Sequence, residues 1–424
     1  MSPSVYILGV GSTPVRKQPE RGFTDLVAEA FTAAVEDARL DDVDRIEGTW
    51  FSNTLMDFWG QRAVRGQAVL TPLMREGVFP NGNTIINVED GCASGSVAFN
   101  GAWSAIRQGA DLALALGVEK MHDSTRSGSE FLQWMDGTGN MLDPDLFWGP
   151  FRSIAAENGL DLKQDPNRSL GMDAYSVFAL THMNTYGTTI EQIAYAAAKN
   201  HTNAVGNPRA QYRFPMTIEE VLADRVVAEP LTRAMCAPRG DAGSAVLVCS
   251  QSYLDAQPRE VREGAVLVRG HSLRGGLVDT DGSTTWEKRR APVRAADDAY
   301  AMAEVAPTDL DLVELHDAAS FAEIALVEDL GLCARGEGGP FTASGATRPD
   351  GQIPVNPSGG LVSRGHPIGA TGLTMLHEVV LQLRQEAGPV QVNAPRLGLV
   401  ENGGGLLGLD NAVSAVTILE GGPR

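Results

Sequence analysis

Short apolar runs, each ending in glycine or a reactive side chain and followed by a stretch with helical spacing, recur along this 424-residue chain. This alternation restricts the fold more than any other feature. Parallel strands need helical crossovers, so the sheet they form is buried under helices. Residues 5–11 (VYILGVG) read as a strand, and in 23–40 Leu26, Ala30, Phe31, Ala34 and Ala38 fall near one helical face. Residues 84–90 (TIINVED) read as a strand. Residues 93–109 read as a helix with Phe99, Ala102, Trp103 and Ile106 on one stripe, and 111–119 (DLALALGVE) as a strand again. From about 120 to 215 the rhythm gives way to an inserted loop region with helices of its own, a kind of excursion that usually serves as a lid or partner surface. The rhythm resumes at 244–250 (SAVLVCS). A second series starts near 260, with a strand at 311–317, a helix at 319–332 and another from about 368. Both series run strand, reactive loop, helix, strand. That shared order suggests an internal duplication, with halves at 1–258 and 259–424, in a chain too long for one simple core.

A formal net charge of −19 argues against a nucleic-acid protein, which needs a basic face. No apolar stretch approaches the roughly 20 residues of a membrane helix. The opening residues carry no basic n-region, so no secretory leader is expected. Cys92, Cys236, Cys249 and Cys333 lie far apart without a CxxC pair. Neither a metal site nor a disulfide framework is expected, and the compartment indicated is the cytoplasm. The densest basic run, KRRAPVR (288–294), could hold phosphates but fits a solvated helix start better. Cys236, in a small-residue approach to a strand, reads as packing near a pocket.

The chemistry concentrates at strand-to-helix turns. Cys92 lies in NVEDGCASGS (87–96), where a helix terminus would favour the thiolate and small neighbours would admit a substrate. A buried packing cysteine is the alternative. His316 and Asp317 (HDAAS) end an apolar strand, and Asp317 could equally cap the following helix. His366 (SRGHPIGATG) precedes Pro367 at another helix start. Such turns cluster at one edge of a parallel sheet, where ligands bind. ENGGG adds Glu401, Asn402, Gly403, Gly404 and Gly405: a carboxylate beside glycines that bring backbone N–H groups close to a substrate oxygen, or a plain tight turn. A desolvated Glu401 could serve as acid or base.

Taken in order, DGCASGS, ALGVEKM, VELHDAASFAEI, GGLVSRGHPIGATG and ENGGG resemble the thiolase superfamily over nearly the whole chain, most closely its sterol-carrier-protein-type and archaeal-type branch. The resemblance implies a five-layered α/β/α/β/α fold of two similar halves, a homodimer core, and coenzyme A as co-substrate with no bound cofactor. By position, Cys92 would be the acylated nucleophile and His366 its base. His316 would hold the thioester oxygen or a water, with Asp317 beside it. Asn402 and the N–H groups of Cys92 and Gly403 or Gly404 would position substrate and form a second oxyanion hole. Typical members carry a second cysteine where this chain has Glu401, and the sterol-carrier branch often has one where Ala318 stands; by the resemblance, thiolase chemistry here needs Glu401, or another group, as acid/base. The expected activity is thiolytic cleavage of a branched, aromatic or ring-bearing 3-oxoacyl-CoA, or its reverse. The alternatives are a retro-aldol lyase on a β-hydroxyacyl-CoA and a non-catalytic CoA-binding subunit. Relatives also suggest a small zinc-ribbon/OB-fold companion subunit. Trp134, Phe147, Trp148 and Phe151 in the insertion suggest a bulky acyl pocket, or else an interface.

Overall fold

The computed structural model describes residues 3–125, 130–131, 143–162, 169–277 and 290–422. Among the described residues, nine strands form the main sheet: β1 (Val5–Ser12), β2 (Gly48–Ser52), β3 (Thr84–Val88), β4 (Leu112–Glu119), β5 (Ala242–Ser250), β6 (Val266–Gly275), β7 (Leu312–Glu314), β8 (Leu397–Leu407) and β9 (Asp410–Glu420). Their order is β3-β2-β4-β5-β1-β6-β9-β8-β7. Outward from the β1–β6 seam, the two sides repeat each other. The pairs β1–β5 and β5–β4 are antiparallel and β4–β2 is parallel. Likewise β6–β9 and β9–β8 are antiparallel and β8–β7 is parallel. The seam is a short antiparallel contact, Tyr6 with Leu267 and Ile7 with Val266.

Alternate strand residues face different cores, because successive side chains point to opposite faces. In β4, Ala113 and Ala115 pack with Phe99 and Ile106 of α3 (Ser94–Arg107) and with Leu376 and Val380 of α10 (Thr371–Leu383). Leu112, Leu114 and Leu116 face the other way, toward Leu26 and Phe31 of α1 (Phe23–Asp37). In β8, Val400 joins the middle core, while Leu397 and Leu399 meet Ala295 and Ala299 of α7 (Ala291–Ala303). The result is five layers: α1 with α2 (Arg65–Arg75), one half-sheet, α3 with α10, the other half-sheet, and α7 with α8 (Phe321–Asp329). Each fully buried Leu or Phe contributes on the order of 2 kcal/mol.

The central helices touch where side chains are smallest. A Cβ on Gly372 would lie 2.2 Å from Ser96 Oγ and 2.5 Å from Asn402 Oδ1, and one on Gly95 would lie 3.0 Å from the Leu373 backbone nitrogen. Gly95 and Ser96, expected to admit substrate, instead let α3 and α10 meet. That contact draws together the turns carrying Cys92 and His366.

The insertion supplies α4 (Pro144–Glu157), α5 (Leu170–Tyr186) and α6 (Ile190–Ala204). Ala179, Ile193 and Ala197 pack on Phe321 and Ile324 of α8. Phe151 is fully buried in a small core with Val177, against which Trp148 and Leu406 pack, so these two aromatics hold the insertion against β8. Trp134 and the side chain of Phe147 lie outside the described residues. At the basic run, Arg290 pairs with Asp329 and the Ala291 N–H donates to Asp410, which makes that stretch the anchored start of α7; residues 288–289 lie outside the described residues. No helix among the described residues is long and apolar enough to cross a membrane.

Candidate active site

Cys92 follows β3 and stands just before α3, whose N-cap is Ala93. Its turn is held internally: the Asp90 N–H donates to Ser94 Oγ, which donates to the Gly91 carbonyl. The glycines of ENGGG lie inside β8 and not on a loop, and their function is close approach. A Cβ on Gly404 would sit 2.2 Å from the Ala93 nitrogen and 2.3 Å from the Asp90 oxygen; one on Gly91 would sit 2.9 Å from the Gly405 nitrogen. The strand thus presses its backbone against the Cys92 turn. Desolvation pushes the Cys92 thiol up to about 12, with help from Glu89 and Glu119. This overrides the lowering expected from a helix terminus, because Cys92 precedes the N-cap and packs against apolar side chains.

His366 comes from the turn after α9 (Gly360–Arg364), and its Nε2 is 3.2 Å from Cys92 Sγ. Its Nδ1 is 2.8 Å from Thr371 Oγ1, and that hydroxyl donates to the Pro367 carbonyl at 3.0 Å. With the hydroxyl proton so committed, Nδ1 carries the ring hydrogen and Nε2 presents its lone pair to the thiol. Burial holds the imidazole well below its ordinary range, aided by His316 and Arg364. The resting pair is therefore a neutral thiol facing a neutral base.

His316 follows β7, with its ring 5.1 Å from that of His366 in an edge-on arrangement. Burial, with Arg364, lowers it to about 4, and its Nε2 is buried with no hydrogen-bond partner among the described residues. Cys92, His316 and His366 each offer one atom to a cluster in which all lie within 4.8 Å of one another. Glu401 is outside that cluster. It accepts from the His316 backbone N–H at 3.3 Å and from Ser414 Oγ at 2.8 Å, and burial raises its carboxyl to about 7. Asp317 does not cap α8, whose N-cap is Ser320. It accepts instead from the Leu361 N–H in the first turn of α9 (2.6 Å) and from Asn200 Nδ2 (2.8 Å), tying the His316 turn to the segment that carries His366. Asn402 Oδ1 accepts from Ser96 Oγ at 2.8 Å and so joins β8 to α3.

These turns coincide with matches to known proteins. The family model described as thiolase, N-terminal domain matches residues 5–234, and that described as thiolase C-terminal domain-like matches 281–420. The chain belongs to the thiolase family. An acetyl-CoA acetyltransferase of Methanothermobacter thermautotrophicus is 35% identical over 407 residues, covering 95% of this chain and 96% of the relative. The benzoylsuccinyl-CoA thiolase subunit BbsB of Thauera aromatica is 30% identical over 405 residues, covering 95% and 94%. A solved Ltp2-ChsH2(DUF35) aldolase superposes with a TM-score of 0.76 at 21% identity, covering 99% of both chains, a likeness of fold.

Three parts of this thiolase site escaped the sequence reading. Glu119, at the end of β4, accepts from Asn53 Nδ2 and from the N–H groups of Thr54, Leu55 and Gly369, pinning the loops on both sides of the cluster. Its acid residue type inside ALGVEKM was the available signal. Tyr175 of α5 packs against the middle core from the insertion; burial first, and then Cys92, Glu401 and Asp317, raise its phenol. Leu55, Phe58, Met121, Phe131 and Ile368 form an apolar wall against Cys92. They come from four separate segments, so no local pattern marks them.

Proposed function

We propose that this thiolase-family acyltransferase cleaves a 3-oxoacyl-CoA through an acyl-enzyme on Cys92, using coenzyme A as co-substrate. The 3.2 Å contact between Cys92 Sγ and His366 Nε2 is the observation that carries the reading. His366 takes the thiol proton as sulfur attacks the 3-oxo carbon, a coupled step suited to two neutral partners. His316 Nε2 is buried with no hydrogen-bond partner among the described residues, which suits it to a substrate oxygen or a bound water. The N–H of Cys92 and the Gly403–Gly404 backbone would receive the oxyanion of the acyl-enzyme. When the C2–C3 bond breaks, the enolate of the departing thioester takes a proton from Glu401, the acid that replaces the second cysteine. His366 then passes the proton it took from Cys92 to the Glu401 carboxylate through water, restoring acid and base; coenzyme A loses its thiol proton to the neutral His366 and takes the acyl group, and the released Cys92 thiolate recovers that proton from His366. Asn402 and Asp317 position this machinery.

The apolar, aromatic wall favours a bulky acyl group, in keeping with the ring-bearing substrate named for the Thauera relative. For partners, the β3 edge of the sheet is uncharged (TIINV) with Ile86 exposed, and unprotected edges pair readily, which supports a homodimer across it. The DUF35-containing aldolase of like fold supports a small companion subunit. The test is CoA-dependent cleavage of an aromatic 3-oxoacyl-CoA, assayed with acetoacetyl-CoA beside it. Cys92→Ala should abolish thiolysis. Retained cleavage of a β-hydroxyacyl-CoA by that variant would instead establish a retro-aldol lyase.

A further inference from the structure

We infer that Cys92, His316 and His366 form a capture site for Zn2+ that switches the reactive centre off. One thiolate and two imidazoles are a zinc donor set, and three protein ligands with an open fourth position is a known zinc arrangement. The geometry is near closure. The three candidate atoms lie within 4.8 Å of one another, with Sγ and His366 Nε2 at 3.2 Å. Bonds of roughly 2.0–2.3 Å in tetrahedral geometry put donors about 3.5 Å apart, so His316 need move only on the order of 1 Å.

Each donor is already prepared. His316 Nε2 is buried and unpartnered among the described residues. His366 is held by Thr371 at Nδ1, an outer contact that fixes the tautomer leaving Nε2 free, as metal-bound histidines require. The His316 backbone is anchored by Glu401. Binding replaces the Cys92 S–H bond with an S–Zn bond and releases that proton to solvent; no electron is transferred. The sulfur lone pair and both nitrogen lone pairs are then committed, so neither nucleophile nor base remains. The absence of a CxxC pair argued against a metal site in the sequence, but here the ligands come from three separate turns.

Chelator-treated protein should bind one Co2+ with a thiolate-to-metal charge-transfer band, tetrahedral visible bands and release of one proton, and Zn2+ should displace it with no further proton release. Cys92→Ser and His316→Ala should each lose that spectrum and bind Zn2+ at least about 100-fold more weakly, since loss of an outer contact alone costs ~10–100-fold. Saturating Zn2+ should slow iodoacetamide alkylation of Cys92 in the unaltered chain at least about tenfold, a readout independent of any variant's folding and of turnover. A missing charge-transfer band, an unchanged spectrum in Cys92→Ser, or undiminished alkylation would overturn the site. None of these outcomes depends on the acyl-transfer reading.

Discussion

At the reactive centre, burial does two opposite things to one pair of residues: it raises the Cys92 thiol and lowers the His366 imidazole. Both changes favour the neutral forms, so the base should stay available well below neutrality. The acid limb of the kcat profile should therefore be flat down to about pH 5. Glu401, raised to about 7, keeps its proton below that pH, so activity in the cleavage direction should fall as pH rises through about 7. Glu401→Gln should lower kcat on the order of 100-fold and abolish that limb, checked by pH–rate profiles of both proteins. The same carboxyl has a stability signature of defined sign. Its folded value lies above the unfolded one, so the stability it contributes is present below about pH 4.5 and is lost as pH rises through about 7. Glu401→Gln should therefore be more stable at pH 8, by up to about 3 kcal/mol, and show a flatter dependence of Tm on pH. A variant that is less stable at pH 8 would contradict the buried, protonated carboxyl.

Among the elements, the decisive contact is α3 against α10. Gly372→Ala would place a methyl group 2.2 Å from Ser96 Oγ and 2.6 Å from the Ser96 backbone nitrogen, forcing the helices apart. The expected cost is about 1–3 kcal/mol in urea unfolding, with acylation of Cys92 slowed at least about tenfold as His366 draws away. This is also the scale at which the sequence was most and least legible. The strands and helices around Cys92, His316 and His366 were readable because glycine, proline and period-3.6 patterns are local. Glu401 was read onto a loop because three glycines imitate a turn; in the structure they are strand residues whose missing side chains admit the Asp90–Ala93 turn. Asp317 was readable as a cap, but the helix it serves is α9, which lies more than 40 positions onward. Tyr175 and the apolar wall were invisible because their proximity to Cys92 arises only from tertiary packing.

For the whole molecule, the mirrored strand order around the β1–β6 seam places equivalent turns of the two halves on one shared middle layer. One half carries Cys92, and the other carries His316, His366 and Glu401. An isolated half would thus lack either sulfur or base. The exposed β3 edge leads directly into the Cys92 turn, so the proposed dimer would brace the nucleophile. Ile86→Lys should convert a dimer to monomers in sedimentation velocity and lower activity; an unaltered chain that sediments as a monomer would refute this pairing.

The central claim is that acyl transfer passes through Cys92. The measurement that tests it most directly is the intact mass of the protein after brief exposure to a 3-oxoacyl-CoA, with any companion subunit present. The account predicts a mass increase of one acyl group, mapped to Cys92, absent in Cys92→Ala and discharged by added coenzyme A. Turnover of the substrate without any such adduct at short times, and with Cys92→Ala still active, would contradict it.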